Sequence, residues 1–224
     1  MLFQTKQDQV AEVLRERIIA GIYNRGQKLK QADIAEELGV SVTPVREALR
    51  ILEAEGYVLG LSHRGVLVPP FLVDQARELF ELRLTLEREL TVRALPKITP
   101  AKLAELREFQ EQYAEATRNL RRNELRTANY RLHFRIYELA NRPQTLQFVR
   151  VLWAKYPFHY LDAIESRTSR AVEEHEIFLK HLENGDLENA IKAMEVHIRC
   201  GWDEFSSRQV AALAEPHPSL EETV

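Results

Sequence analysis

Three histidines occupy helical positions where an imidazole would turn inward. His133 follows Asn129 by four residues, which puts the amide and the imidazole on one face of one helix. His175 opens the apolar stripe His175, Phe178, Leu179, Leu182. His197 closes the stripe Ala190, Ala193, Met194, His197. One histidine on an apolar helix face is usually a core residue with a satisfied ring. Three of them on three helices, with an amide beside one, point to a divalent metal held inside a helical bundle by His133, His175, His197 and Asn129. Imidazole suits zinc, nickel, copper or iron, with zinc or nickel first among them. Glu174 and Glu176 flank His175, but adjacent helical positions point elsewhere, so no carboxylate base is expected beside the metal. His181 reads as a surface residue, and His159 could line the same cavity. Arg83 and Glu87, four apart, read either as a helix salt bridge or as a pair whose arginine clamps a ligand carboxylate.

A second set of chemically useful residues lies near the start. On a helix expected over residues 45–55, Val45, Ala48, Leu49 and Leu52 share one side, while Thr43, Arg46, Glu47 and Arg50 share the other. The polar side offers a hydroxyl and two guanidinium groups, suited to phosphate oxygens and guanine edges in a major groove. Ser41-Val42-Thr43-Pro44 supplies a cap-and-proline start. Arg64, at the tip of a hairpin around His63-Arg64-Gly65, could reach an adjacent groove. Gly65 would let the backbone approach a phosphate.

These residues need elements to hold them. Apolar spacing predicts a helix from Gln7 to about Ala20, a second from about Gln31 to Leu38 stopped by Gly39, and the third just described. The hairpin follows, and Pro69-Pro70 closes a unit of residues 1–70 laid out as a winged helix-turn-helix. From residue 71 to 214 the pattern is helical throughout. It implies a mainly α protein with six helices in this part: about Val73–Ala94, Pro100–Arg118, Glu124–Ala140, Thr145–Ile164, Ser169–Glu183 and Leu187–Val210. Residues 215–224 read as a disordered tail.

Composition excludes several classes. Among 224 residues the net charge is −3, and residues 1–70 balance nine Lys/Arg against nine Asp/Glu. Nucleic-acid binding must therefore rest on local placement and not on bulk charge. One cysteine, Cys200, rules out a disulfide framework and any multi-cysteine zinc module. No stretch approaches the roughly 20 apolar residues of a membrane span, and the charged N-terminus is unlike a signal peptide, so a cytoplasmic protein without membrane association is expected.

The wording of the first unit, "IIAGIYNRGQKL", "ADIAEELGVSVTPVREALRILEAEGYV" and "HRGVLV", closely resembles the DNA-binding domain of the GntR superfamily of bacterial transcription regulators. The second part, with "ELFELRLTLERELTVRAL", "NYRLHFRIYELANRP" and "EEHEIFLKHLENGDLENAIKAMEVHI", resembles the FCD effector domain of the FadR-type branch, in its six-helix VanR-like form. The resemblance implies DNA contacts from Ser41, Thr43, Pro44, Arg46, Arg64 and Gly65, to which the polar face adds Arg50. It also implies metal ligation by an Asp and three His, matched here by Asn129, His133, His175 and His197. Three positions depart from the pattern: Val42 where relatives carry Arg, Ala32 where some carry Arg, and Asn129 for Asp. Arg83 and Glu87 match the family's R-x3-E feature. The implied function is a ligand-responsive regulator, in the commoner case a repressor, binding a pseudo-palindromic double-stranded operator as a homodimer and taking a small carboxylate effector. Two other readings stand beside it: a metal-dependent hydrolase fused to a DNA-binding module, and a DNA-architectural protein whose helical part only dimerises.

Overall fold

The computed structural model describes residues 5–61, 65–156, 158–161 and 164–214, without the side chains of 159, 160 and 209–214. Arg64, His63 and the segment 215–224 lie outside the described residues, as does the His159 side chain.

Helix α1 (Lys6–Ile19) starts at a capping box in which Thr5 and Asp8 exchange side-chain and backbone hydrogen bonds. It buries Val10, Leu14 and Ile18. Helix α2 (Gln31–Leu38) ends at Gly39 in the left-handed conformation. Helix α3 runs Val42–Ala54, so it begins three residues before the start expected from sequence. Pro44 lies inside its first turn, where a missing N–H costs no intrahelical bond. Val45, Ala48, Leu49 and Leu52 are all buried, as their spacing predicts.

The hairpin strands β2 (Leu59–Leu61) and β3 (Gly65–Leu67) gain a partner that the sequence reading lacks. Strand β1 (Lys28–Leu29) pairs with β3 to make a three-stranded antiparallel sheet in the order β1-β3-β2. Gly65 has φ +93°, and a Cβ there would meet the Leu29 carbonyl oxygen at 2.3 Å. The close approach of β1 to β3 therefore requires a glycine here.

After two 3-10 turns flanking it, α4 (Ala76–Ala94) leads into α5 (Pro100–Arg118), α6 (Arg122–Glu138), α7 (Pro143–Lys155), the one-turn α8 (Phe158–Leu161), α9 (Glu165–Glu183) and α10 (Leu187–Ala214). The single helix expected over 145–164 is thus two. Tyr156 adopts an extended conformation (φ −74°, ψ 143°), as the residue preceding a proline in sequence tends to do. The break turns Tyr156 and Phe158 into a wall beside Arg83, which stacks 4.1 Å and 4.9 Å from their ring centroids.

Two apolar cores result. One gathers residues of α1–α3 and the sheet and also takes in Ala154 of α7. The other gathers α4–α10 around Leu90, Leu106, Ile136, Trp153 and Phe178. Polar contacts join them. Tyr130 of α6 donates to Glu12 of α1 at 3.0 Å, and Arg131 pairs with Glu16 through two bonds of 2.9 and 2.8 Å. Buried Arg15 pairs with Glu55 and Glu12. Gly21 (φ +71°) leaves room for Arg126, which donates to the Ala20 carbonyl at 3.1 Å. Among the described residues no helix is long and apolar enough to cross a membrane.

Candidate functional site

His133 of α6, His175 of α9 and His197 of α10 come together as their spacing predicts. Their ring centroids lie 4.5–5.4 Å apart, and one nitrogen of each falls within 4.8 Å of the others. His133 and His175 are buried, and His197 keeps only 12% of its side chain exposed.

Hydrogen bonds assign each ring's proton. Tyr137 donates its hydroxyl to Glu87 at 2.5 Å, so at 3.0 Å from His133 Nδ1 its oxygen accepts, and Nδ1 carries the hydrogen. His175 Nδ1 lies 3.1 Å from the Gln110 side-chain oxygen, whose orientation is set by Gln110 Nε2 donating to the Val172 carbonyl at 2.9 Å. His197 Nδ1 donates to Glu174 at 2.7 Å. All three rings are therefore Nδ1-protonated when neutral, and three bare Nε2 lone pairs converge. His133 Nε2 is buried without a partner, and the Nε2 atoms of His175 and His197 face each other at 3.3 Å.

Protons are poor company for these lone pairs. Burial holds all three imidazoles well below their ordinary pKa. Each of His133 and His175 is lowered further by its histidine neighbours, and Arg167 lowers all three. Three neutral, mutually facing lone pairs with oriented distal nitrogens are the donor set a divalent cation takes, and each ring has the outer partner that fixes a metal-bound histidine. The residues fit a metal.

Glu174 corrects the sequence reading. Position 174 does point away from the core-facing stripe of its own helix, yet it points toward the neighbouring helix α10. There it accepts from His197 and lies 2.9 Å from Arg167 Nη1. Tyr137 and Gln110 were also missed; Tyr137 falls one helical turn after His133, a cue that spacing could have supplied. Asn129 is half-buried on a cavity of about 40 Å³ that it shares with His197, Arg167 and Arg83.

The family of the chain follows from two matches. Residues 6–68 match the model of bacterial regulatory proteins of the gntR family, and residues 78–199, more than half of the chain, match the FCD domain. The chain belongs to the GntR family. The HTH-type transcriptional regulator McbR of Escherichia coli (strain K12) is 29% identical over 184 residues, covering 80% of this chain and 83% of McbR. The gluconate operon transcriptional repressor of Bacillus subtilis (strain 168) is 40% identical over 78 residues, 35% of this chain and 32% of the repressor. The solved structure of E. coli McbR/YncC superposes with a TM-score of 0.79 at 24% identity, covering 92% of this chain and 99% of that one, which shows a common fold. GntR regulators bind DNA through the helix-turn-helix and an effector through the FCD domain. This GntR chain is a DNA-binding transcriptional regulator, and its families and relatives are regulators and not enzymes, against the hydrolase alternative.

In this GntR chain Ser41, Thr43, Arg46 and Arg50 are exposed on the first turns of α3, with Pro44 half-buried among them. Arg50 leans on Glu47 at 3.3 Å, while no ion pair of Arg46 is found among the described residues. Arg83 forms the helix salt bridge that its spacing allows. It is buried against Glu87 at 2.6 Å, and it also lines the small cavity. Glu87, wholly buried, accepts from Arg83, Tyr137 and Trp153 together. His181 pairs with Asp186 at 3.2 Å near the surface.

Proposed function

We propose that this regulator is a cytoplasmic repressor built of residues 1–70 for DNA and 71–214 for effector and dimerisation, with 215–224 as a tail. As a homodimer it places two α3 helices in successive major grooves of a pseudo-palindromic operator. Ser41, Thr43, Pro44, Arg46 and Arg50 meet the groove and its phosphates, and Arg64 and Gly65 meet the adjoining backbone. The repressor sense is supported by the gluconate operon repressor among the relatives.

The effector site in this reading is one divalent ion, zinc or nickel, held by His133, His175, His197 and, more weakly, Asn129. The convergence of three bare Nε2 atoms carries the reading. Bound there, the ion supplies a positive charge with open positions. Neutral ligands leave that charge uncompensated, which favours an anionic carboxylate effector, with Arg83 as a second cationic neighbour. The cavity has room for a carboxylate head and little more, so a larger acid displaces the Tyr156–Phe158 wall. Helix α6 carries His133 on one face and grips α1 through Tyr130 and Arg131 on another. A shift of α6 on effector binding therefore reaches the DNA-binding unit, and a tenfold change in operator affinity requires about 1.4 kcal/mol of differential binding.

Elemental analysis of dialysed protein tests the centre. We expect one divalent ion per subunit, lost in His133→Ala/His175→Ala. A metal-free wild type, or full retention in that double variant, overturns it. A carboxylate thermal-shift screen with and without chelator tests the effector, and stabilisation that survives both metal removal and Arg83→Ala counts against the mechanism.

A further inference from the structure

A larger cavity lies elsewhere among the described residues. A space of about 400 Å³ opens between the two units, against about 40 Å³ beside the histidines. Ile18 and Ile19 of α1 form one side, and Trp153, Tyr156 and Phe158 another. Its size falls in the range of small-molecule sites.

Arg25 is the unusual group on its lining. The other enclosed guanidinium groups have carboxylates: Arg15 has Glu55, Arg83 has Glu87 and Arg167 has Glu174. Arg25 donates to the Ala154 carbonyl at 2.7 Å and, at 3.4 Å, to that of Pro69. Among the described residues no carboxylate lies within ion-pair distance of it. Desolvation holds it below the ordinary arginine pKa, the mark of a partly buried cation that lacks an anion. Two carbonyls occupy part of its five-donor fork, and a carboxylate is the group that this fork accepts best.

The remaining wall is mixed: Tyr23, Asn24 and a second cation, Arg126, stand beside the isoleucines and aromatic rings, so an acid with an apolar body suits it. We propose that the inter-unit cavity is a second ligand site, taking a planar aromatic carboxylate whose acid group pairs with Arg25 and whose ring packs on the half-buried Ile19 and Phe158. The site is independent of the metal. It is nevertheless adjacent to the metal cavity, because Tyr156 and Phe158 line both spaces and Arg83 stacks on the same rings. A ligand here touches α1 and the turn after it on one side and α7 and α8 on the other. It therefore favours whichever arrangement of the two units its contacts fit.

Isothermal titration of the full chain with 1-naphthoate tests the site, using metal-loaded and chelator-treated protein. We expect one molecule bound per chain, with affinity unchanged by chelation. Arg25→Gln should weaken binding about tenfold or more, and the neutral isostere 1-naphthalenemethanol should bind wild type correspondingly weaker. Ile19→Trp, which fills the cavity and leaves Arg25 intact, should abolish binding, with circular dichroism melts confirming that both variants fold. No binding at ~10 mM naphthoate, a loss of binding on chelation, or wild-type affinity in either variant overturns the proposal.

Discussion

Arg46 and Arg50 hold their guanidinium groups in water on the first turns of α3, whereas Arg83 and Arg167 are almost wholly enclosed among α4, α9 and α10. The exposed pair is held by little: Arg50 has a long contact to Glu47, and no ion pair of Arg46 is found among the described residues. Each enclosed arginine is tied to a carboxylate that also holds another group of the centre. Glu87 serves Arg83, Tyr137 and Trp153, and Glu174 serves Arg167 and His197. The same residue type is thus used in two ways. In water it is left available to an anion, the role proposed above for DNA phosphate, and its loss should change stability by no more than an ordinary surface substitution, about 0.5 kcal/mol. Inside, its charge is tolerable because a carboxylate lies against it.

Glu87→Gln should break this contrast most severely. It leaves Arg83 buried without its anion, and removing one partner of a buried pair costs about 3–5 kcal/mol. Urea denaturation of chelator-treated protein measures the loss without a contribution from bound metal. A loss below that of an ordinary surface substitution, about 0.5 kcal/mol, would mean that the pair is not closed in solution.

Arg46→Ala should do the reverse, leaving the denaturation midpoint in place while weakening operator binding. A bidentate base contact predicts about 1–3 kcal/mol of lost specific affinity. A phosphate contact predicts an even fall across sequences and a shallower salt slope. Mobility shifts at two salt concentrations separate the two, and an unchanged affinity in the Arg46→Ala/Arg64→Ala variant would remove α3 and the wing from the interface.

Tyr137→Phe takes away the acceptor for His133 Nδ1–H and one donor to Glu87 without opening a cavity. Outer partners of metal-bound histidines are worth roughly 10–100-fold in affinity, and the low end is expected here because burial still confines the ring. Competition with a chelator reads the shift. Operator affinity of the metal-free protein should not move.

The two regions also differ in how far the sequence discloses them. Val45, Ala48, Leu49 and Leu52 disclose the buried side of α3, and hence its exposed side, because both lie on one helix with one period. The inward side of the His175 and His197 stripes is legible for the same reason. What escaped depends on neighbouring helices. Glu174 is off its own core stripe and meets His197 only because α9 and α10 lie side by side, and Gln110 reaches His175 from α5. Strand β1 is two residues long, too short for any periodicity, and only Gly65 lying against Leu29 reveals its pairing. The division of the fourth expected helix was within reach, since a proline follows Tyr156, but apolar spacing runs on through it.

Asn129→Asp is the finest test of how complete the enclosed centre is. The amide brings an oxygen without charge to a cavity that already holds Arg83 and Arg167 beside the histidines. An aspartate there would meet two guanidinium groups and the ion, and ligand charge count is one of the levers that sets metal affinity, so binding should tighten by about one order of magnitude. Part of the gain is offset by desolvating the new carboxylate. The same charge should weaken any anion that binds the ion's open positions, so a carboxylate effector should stabilise the Asn129→Asp protein less than wild type in a thermal-shift titration. Tighter metal with an unchanged effector response would place the effector away from the ion. Unchanged metal affinity would leave position 129 outside the coordination shell, with the three histidines holding the ion alone.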